Sequence, residues 1–252
     1  MLDYALFLLF VALAVYTQNL TGFALALVLL GLVGATNIFP LPDVVNVVSV
    51  IGLVNAALYL YKRRALKLER LLWPSLAASC VGTVVGVAML TWMVGAAYDV
   101  LRLLLGLSII GCAVMLLLQS KPRSTSSSPT SFMGFGLLSG LMGGLFSAAG
   151  PPLVYQVYRQ PWTQQRARES LVFLFGAGSL LRLLIVVPTG AFTALSVSLS
   201  VIALPVVVLV TSLAVRRTPS ISAHTLRRLV CGLLAVAGVA TISAAMTSLT
   251  AS

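Results

Sequence analysis

Apolar residues run along this chain in long unbroken stretches, not in the one-sided period of a surface helix. Eight stretches are legible, at about 2–34, 43–61, 71–94, 97–119, 132–158, 169–187, 191–215 and 229–250. Those at 71–94, 97–119, 191–215 and 229–250 each reach the roughly 20 residues that a helix needs to cross a bilayer. Backbone in hydrocarbon must satisfy its own hydrogen bonds, so only helices and closed barrels span. A barrel would alternate apolar and polar residues with period two. No such alternation is present, and the pattern predicts an all-α polytopic membrane protein.

Two of the stretches are interrupted. Gln18, Asn19, Thr21 and Gly22 break the first, and a run from Gly143 to Pro152 breaks the fifth. Glycine weakens a helix and proline removes a donor. The arms on either side are expected to hold about 12–16 residues, or ~18–24 Å, which suits a re-entrant hairpin better than a full crossing. Between the fourth and fifth stretches lies KPRSTSSSPTS (121–131), which reads as a flexible linker. It divides the chain into a first membrane repeat (1–120), a cytoplasmic linker (121–131) and a second membrane repeat (132–252).

The two halves align without gaps at an offset of about 126 residues. Leu27-Val28 falls on Leu153-Val154, Gly52 on Gly178, Asp43 on Glu169, and Gly106-Leu107 on Gly232-Leu233. Loop charge then tests the topology. If all eight stretches cross once, the basic loops 62–70 and 121–131 face one side and the equally basic loops 159–168 and 216–228 face the other. That conflicts with the rule that Lys and Arg collect on the cytoplasmic side. The conflict disappears if 2–34 and 132–158 each enter and leave on one face. Then Lys62, Arg63, Arg64, Lys67, Arg70, Lys121, Arg123, Arg159, Arg166, Arg168, Arg216, Arg217, Arg227 and Arg228 are all inside, and Asp3, Asp43, Asp99, Arg102 and the turn 188–190 are outside. Each half then holds a broken first segment plus three transmembrane helices. The odd number of crossings inverts the second half, a plan shared by many secondary transporters. A plain eight-helix bundle with unusual loop charges is the competing arrangement.

Composition supports the membrane reading. Hydrophobic residues make up 60% of the chain and charged residues 8%, and mean hydropathy is +1.07. A soluble surface needs roughly three times that share of charge. The net charge of +11 is carried by loops, so nucleic acid is not an expected partner. The chain has three cysteines, Cys80, Cys112 and Cys231, inside apolar stretches, and one histidine, His224, without neighbouring ligands. No metal or cofactor is expected, and no catalytic cluster is present. Asp3 and the lack of a basic leader make Met1–Tyr16 read as the start of the first membrane segment, not as a signal peptide.

Candidate chemistry collects at the two breaks. Hairpins entering from opposite faces bring their tips together near the midplane, and the second arm of each starts there with unpaired N–H groups. Helix N-termini attract anions. Gly22, Gly143, Gly144 and Gly150 let a ligand approach the backbone or let helices pack closely. Pro151 suits a helix opening. Gln18, Asn19, Thr21 and Ser147 add side-chain hydrogen bonds. Arg182 lies about 20 Å along the helix from Arg168, at membrane depth. A charge there either serves function or snorkels to the outer interface. Gly178, Ser179 and Arg182 share its helical face. In the other half Asp43, Asn46, Ser49, Gly52 and Asn55 recur every three residues. That polar stripe must face the bundle interior, to line a path or to bond helices together. Asp43 and Glu169 open corresponding segments, where helix capping is the simpler role and proton coupling the sharper one. Gly82 and Gly86 form G-x-x-x-G, a packing signal.

These residues resemble the sulfite exporter TauE/SafE family, also called the toluene sulfonate uptake permease family. GLLSGLMGGLFSAAGPPLVYQVY (136–158) and QQRARESLVFLFGAGSLLRLL (164–184) carry the likeness. Gly143, Gly144, Gly150, Pro151, Pro152, Arg168, Ser170 and Arg182 occupy the places of the family's Gly-rich, Pro-Pro, Ala-Arg and Arg positions. LTGFALALVLLGL (20–32) and Asn55 followed by Lys62-Arg63-Arg64 resemble the first half of the family pattern. The chain departs from it at Gln18-Asn19-Leu20-Thr21 and at Ser147-Ala148-Ala149, both at the predicted site. The resemblance implies a secondary transporter for sulfite, sulfoacetate or another organosulfonate in a bacterial-type inner membrane. A passive anion channel, or a carrier of a non-sulfur organic anion, would use the same residues. The expected partners are a small anion and the lipid bilayer, and a homodimer is compatible with the sequence.

Overall fold

The computed structural model describes residues 2–63, 68–96, 98–117, 124–216, 231–232, 234–243 and 246. Arg64, Lys67, Lys121, Arg123, Arg217, His224, Arg227, Arg228 and residues 229–230, 233, 244–245 and 247–250 of the eighth stretch lie outside the described residues, as do the side chains of Arg63, Asp99, Arg102, Pro151 and Arg216. All described regular structure is helical. In chain order come α1 (Leu2–Thr21), α2 (Leu25–Thr36), α3 (Leu41–Arg63), α4 (Leu72–Ala96), α5 (Tyr98–Leu117), α6 (Pro129–Phe146), α7 (Gly150–Tyr158), α8 (Gln164–Val186) and α9 (Ala194–Arg216). A further apolar helix, α10, covers Leu234–Ser243. Among the described residues, five helices are long and apolar enough to cross a membrane: those at Leu2–Thr21, Leu41–Lys62, Leu72–Val94, Gln164–Val186 and Ala194–Ala214. The protein is a multi-pass membrane protein. Large apolar side chains such as Val81, Trp92, Val201 and Leu209 point outward, as a lipid-facing surface requires.

Both breaks are present, the first from Gly22, the end of the expected run, to Ala24, and the second at Ser147–Ala149, inside the expected run. Gln18, Asn19 and Thr21 do not end α1; they form its last turn, where the Thr21 hydroxyl donates back to Thr17 O at 2.7 Å. The helix stops at Gly22, whose φ of 85° lies in the left-handed region. Gly143 and Gly144 likewise remain inside α6, which stops at Ser147 with φ 52°. The arms are therefore unequal, with 20 and 12 residues in the first hairpin and 18 and 9 in the second. At 1.5 Å per residue α1 is about 30 Å long, well beyond the expected arm, and α7 only about 14 Å.

Local signals account for the other starts. Ser128 caps α6 through its hydroxyl, which accepts from Ser131 N, and Pro129 opens the first turn. Thr163 caps α8 by accepting from Arg166 N at 3.3 Å. Glu169 consequently sits in the second turn of α8 and is not at its start. The end of the expected linker is also held: Ser127 N donates to Gln160 Oε1 at 2.9 Å, and Gln160 Nε2 donates to Ser127 Oγ at 3.0 Å.

α3 packs on both α8 and α9, α6 lies along α4, and α1 along α9. The α4–α6 seam runs backbone to backbone. A Cβ at Gly140 would sit 2.6 Å from Ser79 Cα, and one at Gly144 would sit 2.7 Å from Val87 N. The G-x-x-x-G pair thus packs as expected, with Gly82 against Leu141 N and Gly86 against Gly144.

Contacts between chain-distant residues set the ends of the bundle. Tyr4 and Phe7 meet Phe39 edge-on, with ring centroids 5.4 and 5.5 Å apart, so α1 starts where α2 ends. Phe132 stacks on Trp162 at 6.0 Å, so α6 starts where α7 ends. Arg166 pairs with Glu69 at 2.7 Å, which puts the loop before α4 beside the start of α8. Lys62 donates to Ser212 at 2.7 Å, so α3 and α9 finish together.

Candidate functional site

The starts of α2 and α7 meet in a crevice with about 380 Å³ of empty space. Phe23, Ala24 and Leu27 line it from the first hairpin, and Ser147, Ala148 and Gly150 from the second; Gln18, Val48, Gly52, Phe175 and Ser179 close the sides. A second crevice, about 350 Å³, shares Ser147, Ala149, Phe175 and Ser179 and adds the small polar residues Ser79, Thr83 and Ser139, with Gly143 and Gly178. Most of the lining is apolar, with a few polar groups converging on it, as in many small-ligand sites.

The two helix starts differ chemically. Leu25 N, the first donor of α2, already gives its hydrogen bond to Gln18 Oε1 at 3.1 Å. α7 has no side-chain cap. Its second residue is Pro151, a position where the missing N–H costs nothing. Gly150 lies against Leu27, which a Cβ would touch at 3.5 Å. The unshared partial positive charge in the crevice therefore belongs to α7.

Arg182 does not snorkel. It is 1% exposed. Its Nε donates to Gly144 O at 3.1 Å, and its Nη1 donates to Asn46 Oδ1 at 3.0 Å and Ser49 Oγ at 2.9 Å. Ser49 Oγ and Ser147 Oγ share a hydrogen bond of 2.9 Å. One guanidinium thus joins α8, the polar face of α3, the last turn of α6 and the hairpin turn itself. Nη2 alone has no partner among the described residues. No acid among the described residues is bonded to this group, so its positive charge remains to act on the crevice through a low-dielectric interior.

The polar stripe of α3 faces inward and splits into three contacts. Asp43 accepts from Thr193 and, at 2.8 Å, from Ser196. Asn46 donates to Ala191 O at 2.8 Å. Asn55, fully buried, accepts from Thr211 at 2.6 Å, and Asn19 donates to the same Thr211 oxygen at 3.4 Å. Asn19 and Asn55 are thereby joined to α9 and stand outside the crevice. Thr21 bonds within its own turn. Glu169 is 8% exposed and accepts from Gln165 at 2.9 Å.

Of the predicted residues, the structure brings Gln18, Ser147, Gly150 and Ser179 to the first crevice, and Gly143, Ser147 and Ser179 to the second. Asn46 and Gly144 hold Arg182. Asn19, Thr21, Gly22, Asn55, Asp43 and Glu169 lie apart from both crevices. Phe23 and Phe175 were not singled out from the sequence: an aromatic ring in an apolar run carries no periodic or polar signal. Ser139, whose hydroxyl donates to Ala149 O, is a lone serine in an apolar run, which a helix interior accommodates without marking a site.

The family model described as sulfite exporter TauE/SafE matches residues 6–241. The chain is 34% identical over 223 residues to a probable sulfite/organosulfonate exporter TauE of Cupriavidus necator, covering 87% of this chain and 86% of that relative. No solved structure matches the chain.

Proposed function

The chain belongs to the sulfite exporter TauE/SafE family, and from that premise we propose that it moves a small sulfur oxyanion, sulfite or an organosulfonate, by alternating access. It is a membrane transporter and not an enzyme. The substrate sits in the crevice between the hairpin turns, its oxygens toward the uncapped start of α7 and the Ser147 and Ser179 hydroxyls. Arg182 supplies the balancing charge. Phe23, Leu27, Val48 and Phe175 contact whatever organic group the anion carries.

The observation that carries this reading is the clasp at the second turn. A buried arginine without an acid partner among the described residues is tied through Ser49 to Ser147, the residue where α6 gives way to α7. A substrate anion at Ser147 would change the load on that clasp, and so link binding to the position of the hairpin. We also infer that the two repeats are inverted, with the basic loops cytoplasmic. Three observations support this: each hairpin starts and ends together, α3 and α9 run the same way, and Glu69 reaches Arg166. Eight full crossings would separate the last pair by the thickness of the membrane.

The test is uptake into proteoliposomes of sulfite, sulfoacetate, taurine, chloride and a dicarboxylate. Saturable sulfite or organosulfonate uptake is expected. Arg182→Ala should reduce it by on the order of a hundredfold, as the loss of a buried charge and its hydrogen bonds implies. Unsaturable flux that Arg182→Ala leaves intact would mean a channel and would sink the carrier reading.

A further inference from the structure

We propose that Arg168 forms a second oxyanion site, beside the turn of the first hairpin, where the transported anion pauses on the side of the basic loops; this rests on the anion-carrier reading above. Three independent features converge on it. The first is position. A Cβ at Gly22 would meet Arg168 Cγ at 2.9 Å, its Cα at 3.1 Å and its carbonyl O at 3.2 Å. The left-handed Gly22 and the arginine stem are thus in direct contact. Tyr158 closes the same junction, donating to Thr21 O at 2.6 Å, and its phenol lies within electrostatic reach of Arg168.

The second feature is unmet hydrogen bonding. Arg168 Nε is buried and without a partner among the described residues. A native fold rarely leaves a buried guanidinium N–H unpaired, because the lost solvation is not recovered. The acids nearest in sequence or across the loop are engaged elsewhere: Glu169 accepts from Gln165, and Glu69 pairs with Arg166.

The third feature is the contrast with Arg182. There, Nε and Nη1 already bond to Gly144, Asn46 and Ser49. Arg182 can offer an anion its field and one nitrogen. Arg168 bonds to none of the described residues and keeps its whole planar fork, which matches two oxygens of a sulfonate or sulfite. The paired loops at Glu69 and Arg166 put Arg168 near one end of the bundle, so its site and the crevice would be occupied in sequence. A lipid phosphate offers the same oxygens. The inward packing of the stem against Gly22 favours the small soluble ion.

The experiment follows arginine modification by phenylglyoxal with mass spectrometry of the Arg168 peptide, in phosphate-free maltoside micelles and again after adding phospholipid. Methanesulfonate and sulfite are the probes. Slowing of Arg168 modification by about fivefold or more in lipid-free micelles is expected from a bidentate contact. Protection that needs added lipid, or no protection at all, would overturn the proposal. In oriented proteoliposomes, Arg168→Gln should raise the half-saturating concentration about tenfold more for substrate on the Gln164 side than for substrate on the other side. Arg168→Lys, which keeps the charge, should produce a smaller asymmetry. Equal shifts on both sides would overturn it too. If the wild-type protein moves none of the anions, the carrier reading fails on its own, and the protection result still judges Arg168.

Discussion

The two hairpins are built on one plan and held by different chemistry. α6 reaches its turn along a seam of glycines, with Gly136, Gly140 and Gly144 seated against the backbone of Ser75, Ser79 and Val87. α1 reaches its turn along α9 with side chains in the gap. Ala14 stands where an offset of 126 puts Gly140, and Asn19, Thr211 and Asn55 make a buried hydrogen-bonded chain. The turns differ in the same sense. The first is self-contained, with Gln18 occupying the first donor of α2. The second is uncapped and tied to Arg182 by way of Ser49. Close backbone packing leaves an α-helix no side chain with which to cap its partner, so the glycine-rich hairpin is the one whose second arm opens on the crevice without a side-chain cap. The side-chain-rich hairpin is the one that anchors.

The largest expected effect breaks the seam. Gly140→Val drives two methyl groups into the Ser79 backbone and should cost more than the ~1–3 kcal/mol of ordinary overpacking, seen as loss of monodisperse protein or a collapse of its melting temperature. Ala14→Val, at the matching position of α1, should stay inside that range. Equal damage from both would erase the contrast between seams.

Next comes the clasp. Arg182→Lys keeps the charge but cannot serve Gly144 O, Asn46 and Ser49 together, so uptake should fall by on the order of tenfold. Gln18→Leu frees only Leu25 N and should cost about 1 kcal/mol of thermal stability with a smaller transport loss. A Gln18→Leu defect as deep as that of Arg182→Lys would show that both turns bind substrate.

Smaller again is Thr211→Val, which removes the donor to Asn55 and the acceptor of Asn19. It should lower stability by about 1–2 kcal/mol, read as a few degrees of melting temperature. The least perturbing test uses cysteines in a cysteine-free background. Thr36→Cys and Gln164→Cys, both at exposed positions, should label from opposite faces of the membrane, Thr36→Cys from the outside. Labelling of both from one face would contradict opposed hairpins.

Much of the architecture was legible before any coordinates. The α3 stripe pointed inward as its three-residue recurrence required, and Gly82 and Gly86 packed. Arg182 stood out because a charge at depth is rare. The breaks fall at the end of the first expected run and inside the second: Gln18, Asn19 and Thr21 belong to the last turn of α1, and the helix yields only where the left-handed Gly22 turns the chain, while the second break narrows to Ser147–Ala149. Glu169 looks like a segment start because apolar character begins there, but the Thr163 cap lets the helix begin five residues earlier, at Gln164.

The sequence by itself determined what depends on each residue's own transfer into lipid: which stretches are helices, that they lie in a membrane, and that a few polar residues must turn inward. These costs are met locally, since a helix closes its backbone bonds within a few residues. Only the tertiary structure decided who meets whom. Arg182 reaches Gly144, Asn46 and Ser49, Tyr158 reaches Thr21, and Arg168 reaches Gly22, across separations of 38 to 146 residues. A buried polar group needs a partner but does not say which. That choice is made by the packing of whole helices, where one glycine seam sets how near two backbones come and therefore which donors are left open.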